Sequence, residues 1–252
     1  MLRELLARVG QGYRTGDFPE RDPALPDRFR GRPELSQSPC AESCDACARV
    51  CPTAAVKGSP EGPALDLGKC LFCGDCAKAC PSSSIAFSRQ HRLASLERDA
   101  LVLRGKAATD VPSVLRPAAA ALCSRSFRLR QVSAAGCNAC EADANVLGTL
   151  AFDMGRFGIE FVASPRHADA LVVTGPVSKN MALALRKTYD ATPDPKFVIA
   201  CGACAIGGGP YAGHDEVEGG AAAVVPVDLW VPGCPPSPFT LLDAMLRFIG
   251  RG

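Results

Sequence analysis

Fourteen cysteines stand at positions 40, 44, 47, 51, 70, 73, 76, 80, 123, 137, 140, 201, 204 and 234, and their spacing is where the chemistry of this sequence begins. A thiolate is a nucleophile, a redox group and a soft metal ligand, and what it does depends on which others lie beside it. Eight form two runs, Cys40-x3-Cys44-x2-Cys47-x3-Cys51-Pro52 and Cys70-x2-Cys73-x2-Cys76-x3-Cys80-Pro81. The second run has the spacing used by iron–sulfur proteins that carry two cubanes, and the first has one extra residue before its second cysteine. In that pattern three close thiolates hold one cubane and the cysteine before proline reaches across to the other. Cys40, Cys44, Cys47 and Cys80 are therefore expected to serve one [4Fe–4S] cluster, and Cys70, Cys73, Cys76 and Cys51 a second. Tetrahedral zinc is the alternative, and two tandem runs with crossed spacing argue against it.

The other six cysteines are dispersed. Cys137-x2-Cys140 lies in GCNACEAD, Cys201-x2-Cys204 precedes a glycine run in CGACAIGGG, and Cys234 lies in VPGCPPSP. One four-thiolate site could be built from these with two left over, and spacing alone does not say which two; a zinc site at 137, 140, 201 and 204 is the simplest alternative. A disulfide framework suits short secreted chains. Here residues 1–15, MLRELLARVGQGYRT, are charged throughout and do not read as a secretory leader. A reducing cytoplasm and metal-ligating thiolates are expected instead. No stretch reaches the 18 or so apolar residues of a membrane span. A formal charge of +2, with no basic stripe interleaved with aromatics, points away from nucleic acid.

The elements that must position these thiols fall into two parts. Residues 1–37 are rich in Pro, Arg and Asp and are expected to form an extended, irregular arm. Residues 38–86, with eight cysteines and little room for an apolar core, are expected to be a small α+β two-cluster ferredoxin-like domain stapled by metal. Residues 87–116 read as a linker, with a charged stretch suited to a helix and then a flexible tether. From 117 to 252 apolar strands alternate with helices. FRLRQVS (127–133), GIEFVAS (158–164), ADALVVTGP (168–176), KFVIACGAC (196–204) and AAVVPVDLWVPGC (222–234) read as strands. SKNMALALRKTYD (178–190), with Ser178 as N-cap, and SPFTLLDAMLRFI (237–249), with Ser237 as cap and Pro238 in its first turn, read as helices. This alternation predicts an α/β flavodoxin-like open parallel sheet, a fold that places ligands at the carboxyl ends of its strands.

Two family resemblances sharpen these readings. The arm segments GYRTGDFP (12–19) and FRGRPEL (29–35), with LDLGKCLFCGDCAKACP (65–81), resemble the ferredoxin-type subunit of energy-converting, formate hydrogenlyase-type [NiFe] hydrogenases, a relative of the two-cluster subunit of complex I. Residues 125–249 resemble the small subunit of the same hydrogenases, homologous to the 20 kDa-type subunit of complex I. The resemblance rests on GCNACEAD, RFGIEFVASPRHADALVVTGPV (156–177), KFVIACGACAIGGG (196–209) and PVDLWVPGCPPSP (226–238). It implies a third [4Fe–4S] cluster on Cys137, Cys140, Cys204 and Cys234, so that the cofactors would be three [4Fe–4S] clusters. It leaves Cys201 as a small buried apolar group and gives Cys123 no role. Complex I typically has adjacent cysteines where this chain has Cys137-Asn138-Ala139-Cys140, which favours the hydrogenase branch. The chain would then be a fusion of two subunits and an electron-transfer component without a catalytic residue of its own, with a free-standing ferredoxin-like carrier as a further alternative. Its implied partners are a [NiFe] hydrogenase large subunit or a complex I-like counterpart, membrane-embedded subunits, and a soluble ferredoxin or dehydrogenase donor. It would sit peripherally on the cytoplasmic side of the inner membrane, held by those partners. Gly202 and Gly207–Gly209 are expected to let backbone approach the thiols, Glu141 to cap a turn, and Arg166 and His167 to occupy a surface turn. His91 and His214 carry no expectation.

Overall fold

The computed structural model describes residues 2–12, 15–36, 40, 44–59, 61–104 and 112–252. The chain opens with helix α1 (Leu2–Gln11), followed by an irregular arm that ends in the short strand β1 (Pro33–Leu35). The cysteine-rich segment holds α2 (Ala46–Arg49), β2 (Val56–Lys57), β3 (Ala64–Asp66), α3 (Asp75–Ala79) and β4 (Ile85–Phe87), and β5 (Val102–Arg104) follows. β1 pairs antiparallel with β4, and β2, β3 and β5 form a three-stranded antiparallel sheet.

The larger part contains α4 (Pro117–Cys123), β6 (Phe127–Ser133), α5 (Ala139–Val146), β7 (Ile159–Phe161), β8 (Ala170–Thr174), α6 (Lys179–Ala191), β9 (Phe197–Cys201), α7 (Ala203–Gly207), β10 (Leu229–Val231) and α8 (Pro238–Phe248). Its five strands are all parallel, in the order β10-β9-β8-β6-β7. The architecture is thus a small α+β sheet region followed by a flavodoxin-like open parallel sheet. Parallel sheets covered on both faces need strands that are apolar on both sides. β8 (ALVVT) and β9 (FVIAC) meet that need, being buried at every residue. One face, through Leu129, Val172, Ile199 and Val231, packs on α8 and α5 around Phe248, Leu241 and Ala144. Ser237 accepts a hydrogen bond from Thr240 N at 3.1 Å to start α8, with Pro238 at its first position. Ser178 takes the N-cap position of α6 without a side-chain cap bond.

The opposite face is where the two parts meet. Val132, Leu171, Val173, Val198, Ala200 and Trp230 share one buried cluster with Leu65, Leu67, Leu101 and Leu103 of the small sheet region. The cysteine-rich unit therefore does have an apolar core, completed by the large sheet, and this corrects the expectation that it has almost none. The connector differs from the expected helix and tether as well. Ser95 pairs antiparallel with Trp230 along the edge of β10, and β5 adds a strand to the small sheet. The tether itself falls largely on 105–111, outside the described residues. The arm is not irregular throughout, since α1 is helical; beyond it Phe18 is buried against His91 and Phe239, and Arg156 donates to the carbonyls of Gly16 and Phe18.

Candidate functional site

All fourteen cysteines are free thiols in the structure. Cys40, Cys44, Cys47 and Cys80 line one cavity of ≈ 430 Å³, whose wall also includes Pro63, Pro81, Ser82 and Ile85. Cys51, Cys70, Cys73 and Cys76 line a second and far tighter one of ≈ 10 Å³. The helices α2 and α3 present Cys47 and Cys76 inward, both buried. Backbone amides of Ala55, Phe72 and Ser84 donate to the sulfurs of Cys51, Cys70 and Cys80 at 3.2, 3.3 and 3.3 Å, favouring the charged sulfur. Burial nevertheless pushes the Cys70 thiol up to about 12 and Cys76 to about 11, with neighbouring thiols adding to it. Around Cys80 burial is outweighed by hydrogen bonds from Ser82 and Ser84, and its thiol lies below the ordinary value.

The third group gathers at the carboxyl ends of β6, β9 and β10. Cys137 and Cys140 sit at the turn into α5, where Asn138 takes a left-handed φ of 71°. Cys204 lies on α7, after β9, and Cys234 follows β10. Gly202 N donates to Val231 O and Ala203 N to Gly233 O, both at 2.8 Å, which ties the loop after β9 to the loop after β10. Burial pushes Cys204 up to about 12, and the charges of Cys234, Cys140 and Cys137 add to it in that order. Two glycines make the close approach possible. A Cβ on Gly202 would stand 2.7 Å from Cys140 Sγ, and one on Gly209 would stand 2.7 Å from Cys204 Sγ. Cys201 is fully buried, as a small apolar group would be, but it is not inert: a hydrogen bond with Cys201, then burial, drives the Cys140 thiol far above its usual range. Cys123 is buried at the end of α4, in the apolar cluster that packs around α8.

Proximity of thiols is not a coordination sphere. Among the described residues, no group of three or more His, Cys, Asp or Glu side chains could hold a metal ion. The expectation of three [4Fe–4S] clusters is corrected on that finding.

Glu141 is the functional-looking residue that sequence reasoning undervalued. It is not a turn cap: it is 5% exposed, and its Oε1 accepts from Ser133 Oγ at 2.6 Å and Thr174 Oγ1 at 2.7 Å. Those donors are the last residues of β6 and β8 and are paired in register. Burial opposes ionisation, yet the hydroxyls of Ser133 and Thr174, with the backbone amide of Glu141, together outweigh it and hold the carboxyl below its ordinary value. Its Oε2 is buried without a partner among the described residues. Gly136 and Gly175 admit the carboxylate: a Cβ on Gly136 would lie 2.9 Å from Oε1, and one on Gly175 only 2.4 Å from Gly136 N. Arg166 and His167 lie exposed in a short helical turn capped by Ser164.

The segments that carry the second and third groups meet across the shared core. A Cβ on Gly68, two residues before Cys70, would touch Ile206 Cγ2 at 2.6 Å, and Ile206 is two residues beyond Cys204. Asp66 fixes this seam by accepting from Arg98 Nη1 at 2.8 Å and Nη2 at 2.7 Å while its Oδ1 accepts from Gly68 N.

Comparison with known proteins addresses the larger part. Residues 137–248 match the family model described as NADH ubiquinone oxidoreductase, 20 Kd subunit, and this segment is homologous to that family. An NADH-quinone oxidoreductase subunit of Desulfovibrio desulfuricans is 46% identical over 112 residues, which cover 44% of this chain and 61% of the relative. The corresponding NADH-quinone oxidoreductase subunit of Heliobacterium modesticaldum is 44% identical over 113 residues, 44% of this chain and 65% of the relative. The chain thus spans less than two thirds of either relative's length. A solved archaeal respiratory complex, the membrane-bound sulfane sulfur reductase, contains a chain 30% identical with a TM-score of 0.45, covering 54% of this chain and 78% of that one.

Proposed function

We propose that this chain is the electron-transfer subunit of a membrane-associated hydrogenase-type redox complex, whose large subunit docks against the carboxyl end of the parallel sheet. The observation that carries the reading is the Gly68–Ile206 contact, which seats the tandem-cysteine unit directly on α7, the short helix bearing Cys204. A redox relay needs its stations held in fixed order, and a shared buried core provides that. The proposed site residues are Cys40, Cys44, Cys47 and Cys80; Cys51, Cys70, Cys73 and Cys76; and Cys137, Cys140, Cys204 and Cys234. Cys137 and Cys234 are exposed and would face the large subunit. The two residues between Cys137 and Cys140 support a [NiFe] partner. A second reading, a complex I-like dehydrogenase, is favoured by the names of the relatives matched over the larger part.

The test is purification of the intact complex under anaerobic conditions in mild detergent, through a tag on this chain. Nickel stoichiometric with the chain, together with hydrogen-dependent dye reduction, is expected. A large subunit that co-purifies without nickel and reduces dye with NADH would replace the first reading with the second. Recovery of this chain with no redox partner would overturn both.

A further inference from the structure

Strand β9 sends its side chains alternately to the two faces of the large sheet. Val198 and Ala200 enter the core shared with the small sheet region, while Ile199 and Cys201 enter the core around α8 and α5. Cys201 ends the strand, paired in register with Thr174 of β8 and Val231 of β10, and is fully buried. Cys140 packs against the same core from the first turn of α5, but it is only half-buried. Its sulfur lies against the end of β9, so close that a Cβ on Gly202, the next residue, would stand 2.7 Å away. The two thiols are hydrogen-bonded to each other, and this bond acts on the Cys140 thiol more strongly than any other neighbour. A buried cysteine among apolar side chains is a small hydrophobe. One that touches a second thiol, itself open to solvent, is half of a dithiol pair.

We propose that Cys201 is the resolving thiol of Cys140, and that the two form a reversible disulfide when the chain meets hydrogen peroxide. The oxidant reaches Cys140 first, because Cys201 has no exposed surface. The Cys140 sulfur takes one peroxide oxygen and becomes a sulfenic acid, and the other oxygen leaves as water with the thiol proton. Cys201 then attacks that sulfur. The S–S bond forms, the S–O bond breaks, and a second water carries away the Cys201 proton. The pair has lost two electrons and the peroxide has gained them. A Cys140 thiol held protonated well above its usual range reacts slowly, so the pair answers sustained exposure to oxidant. Without a resolving partner the sulfenic acid continues to sulfinic and sulfonic acid, which thiols do not reverse. The proposal goes beyond the electron-transfer reading and does not rest on it, since it concerns two side chains inside the larger part.

The experiment uses the full chain, purified in reduced form under anaerobic conditions and exposed to hydrogen peroxide for minutes to hours. The chain is then alkylated, digested without reductant and mapped by mass spectrometry. A peptide pair joined between Cys140 and Cys201, lighter by the two lost hydrogens, is expected, and dithiothreitol should return both thiols. In Cys201→Ala and in Cys201→Ser, Cys140 is expected to pass to sulfinic or sulfonic acid and to lose its recovery by dithiothreitol. Melts of the reduced variants check that they fold, and the map of the parent chain decides the pairing without any variant. The proposal is overturned if Cys140 of the parent chain resists peroxide, or if it joins Cys137, Cys204 or Cys234 while Cys201 stays reduced. It is also overturned if dithiothreitol recovers Cys140 as fully in the variants as in the parent.

Discussion

Replacing Thr174 by Val tests whether the buried carboxylate beside the third thiol group is held by its two hydroxyl donors. Thr174 is fully buried and Val nearly matches its volume, so no cavity opens and the change removes one O–H donor. Oε1 of Glu141 would keep only Ser133, and Oε2 already lacks a partner among the described residues. A hydrogen bond to a charged group contributes about 1.5–3 kcal/mol, and the 2.7 Å separation here favours the middle of that range or above. A loss of about 2 kcal/mol in a chain of this size lowers the melting temperature by about 4–8 °C. Calorimetry at pH 7 on the anaerobically purified chain measures it. The same substitution in an E141Q background isolates the charge, and there its cost should fall to less than half, because a neutral amide is a weaker acceptor. Thr174→Val with no measurable effect, or with the same cost in both backgrounds, would refute this role for Glu141.

Two further outcomes follow from the structure. His91 is buried between Phe18 and Phe239 with Nε2 unpartnered among the described residues; burial lowers its pKa, with Asp243 opposing, Arg92 assisting, Asp22 opposing and Arg247 assisting. A depressed folded pKa contributes stability above the unfolded value of about 6.5 that is lost as pH falls toward the folded pKa. The parent chain should therefore lose stability between about pH 7.5 and 5.5, and His91→Phe should remove that part of the slope while keeping the ring contacts; an unchanged slope in urea titrations would be evidence against it. Gly202→Ala and Gly213→Ala both place a side chain at positive φ, +92° and +81°, and Gly202, with ψ 160°, also lies in a region that glycine alone ordinarily occupies. Only the first meets Cys140 Sγ, whereas Gly213 has nothing within 4 Å. G202A should accordingly melt lower than G213A and lose co-purification of the large subunit, and equal behaviour of the two would show that the contact is immaterial.

The sequence by itself determined the local framework. Strands at 170–174 and 197–201 are legible as short apolar runs with β-branched residues ended by glycine or cysteine, the strand at 127–133 is legible as a mixed apolar and polar run before AAGC, and α8 begins at a serine cap followed by proline. Cysteine spacing also marked which residues to watch, because short covalent separations confine thiols to a few turns. Tertiary structure decided what those signals leave open. The apolar partner that completes the cysteine-rich unit lies more than a hundred residues away, so no local pattern could show that Leu65 packs with Val198 and Trp230 in one core. Glu141 reads locally as an acid near a turn, and it becomes a buried carboxylate only because β6 and β8 pair in register and bring Ser133 and Thr174 together. Spacing also overreached: it suggests a coordination sphere, but whether thiols converge on one point is set by the backbone around them, and the described residues form no ion-holding group. The start of the arm likewise reads as irregular, and only the fold shows that Leu2–Gln11 is helical, with Leu2, Leu5, Leu6 and Val9 exposed.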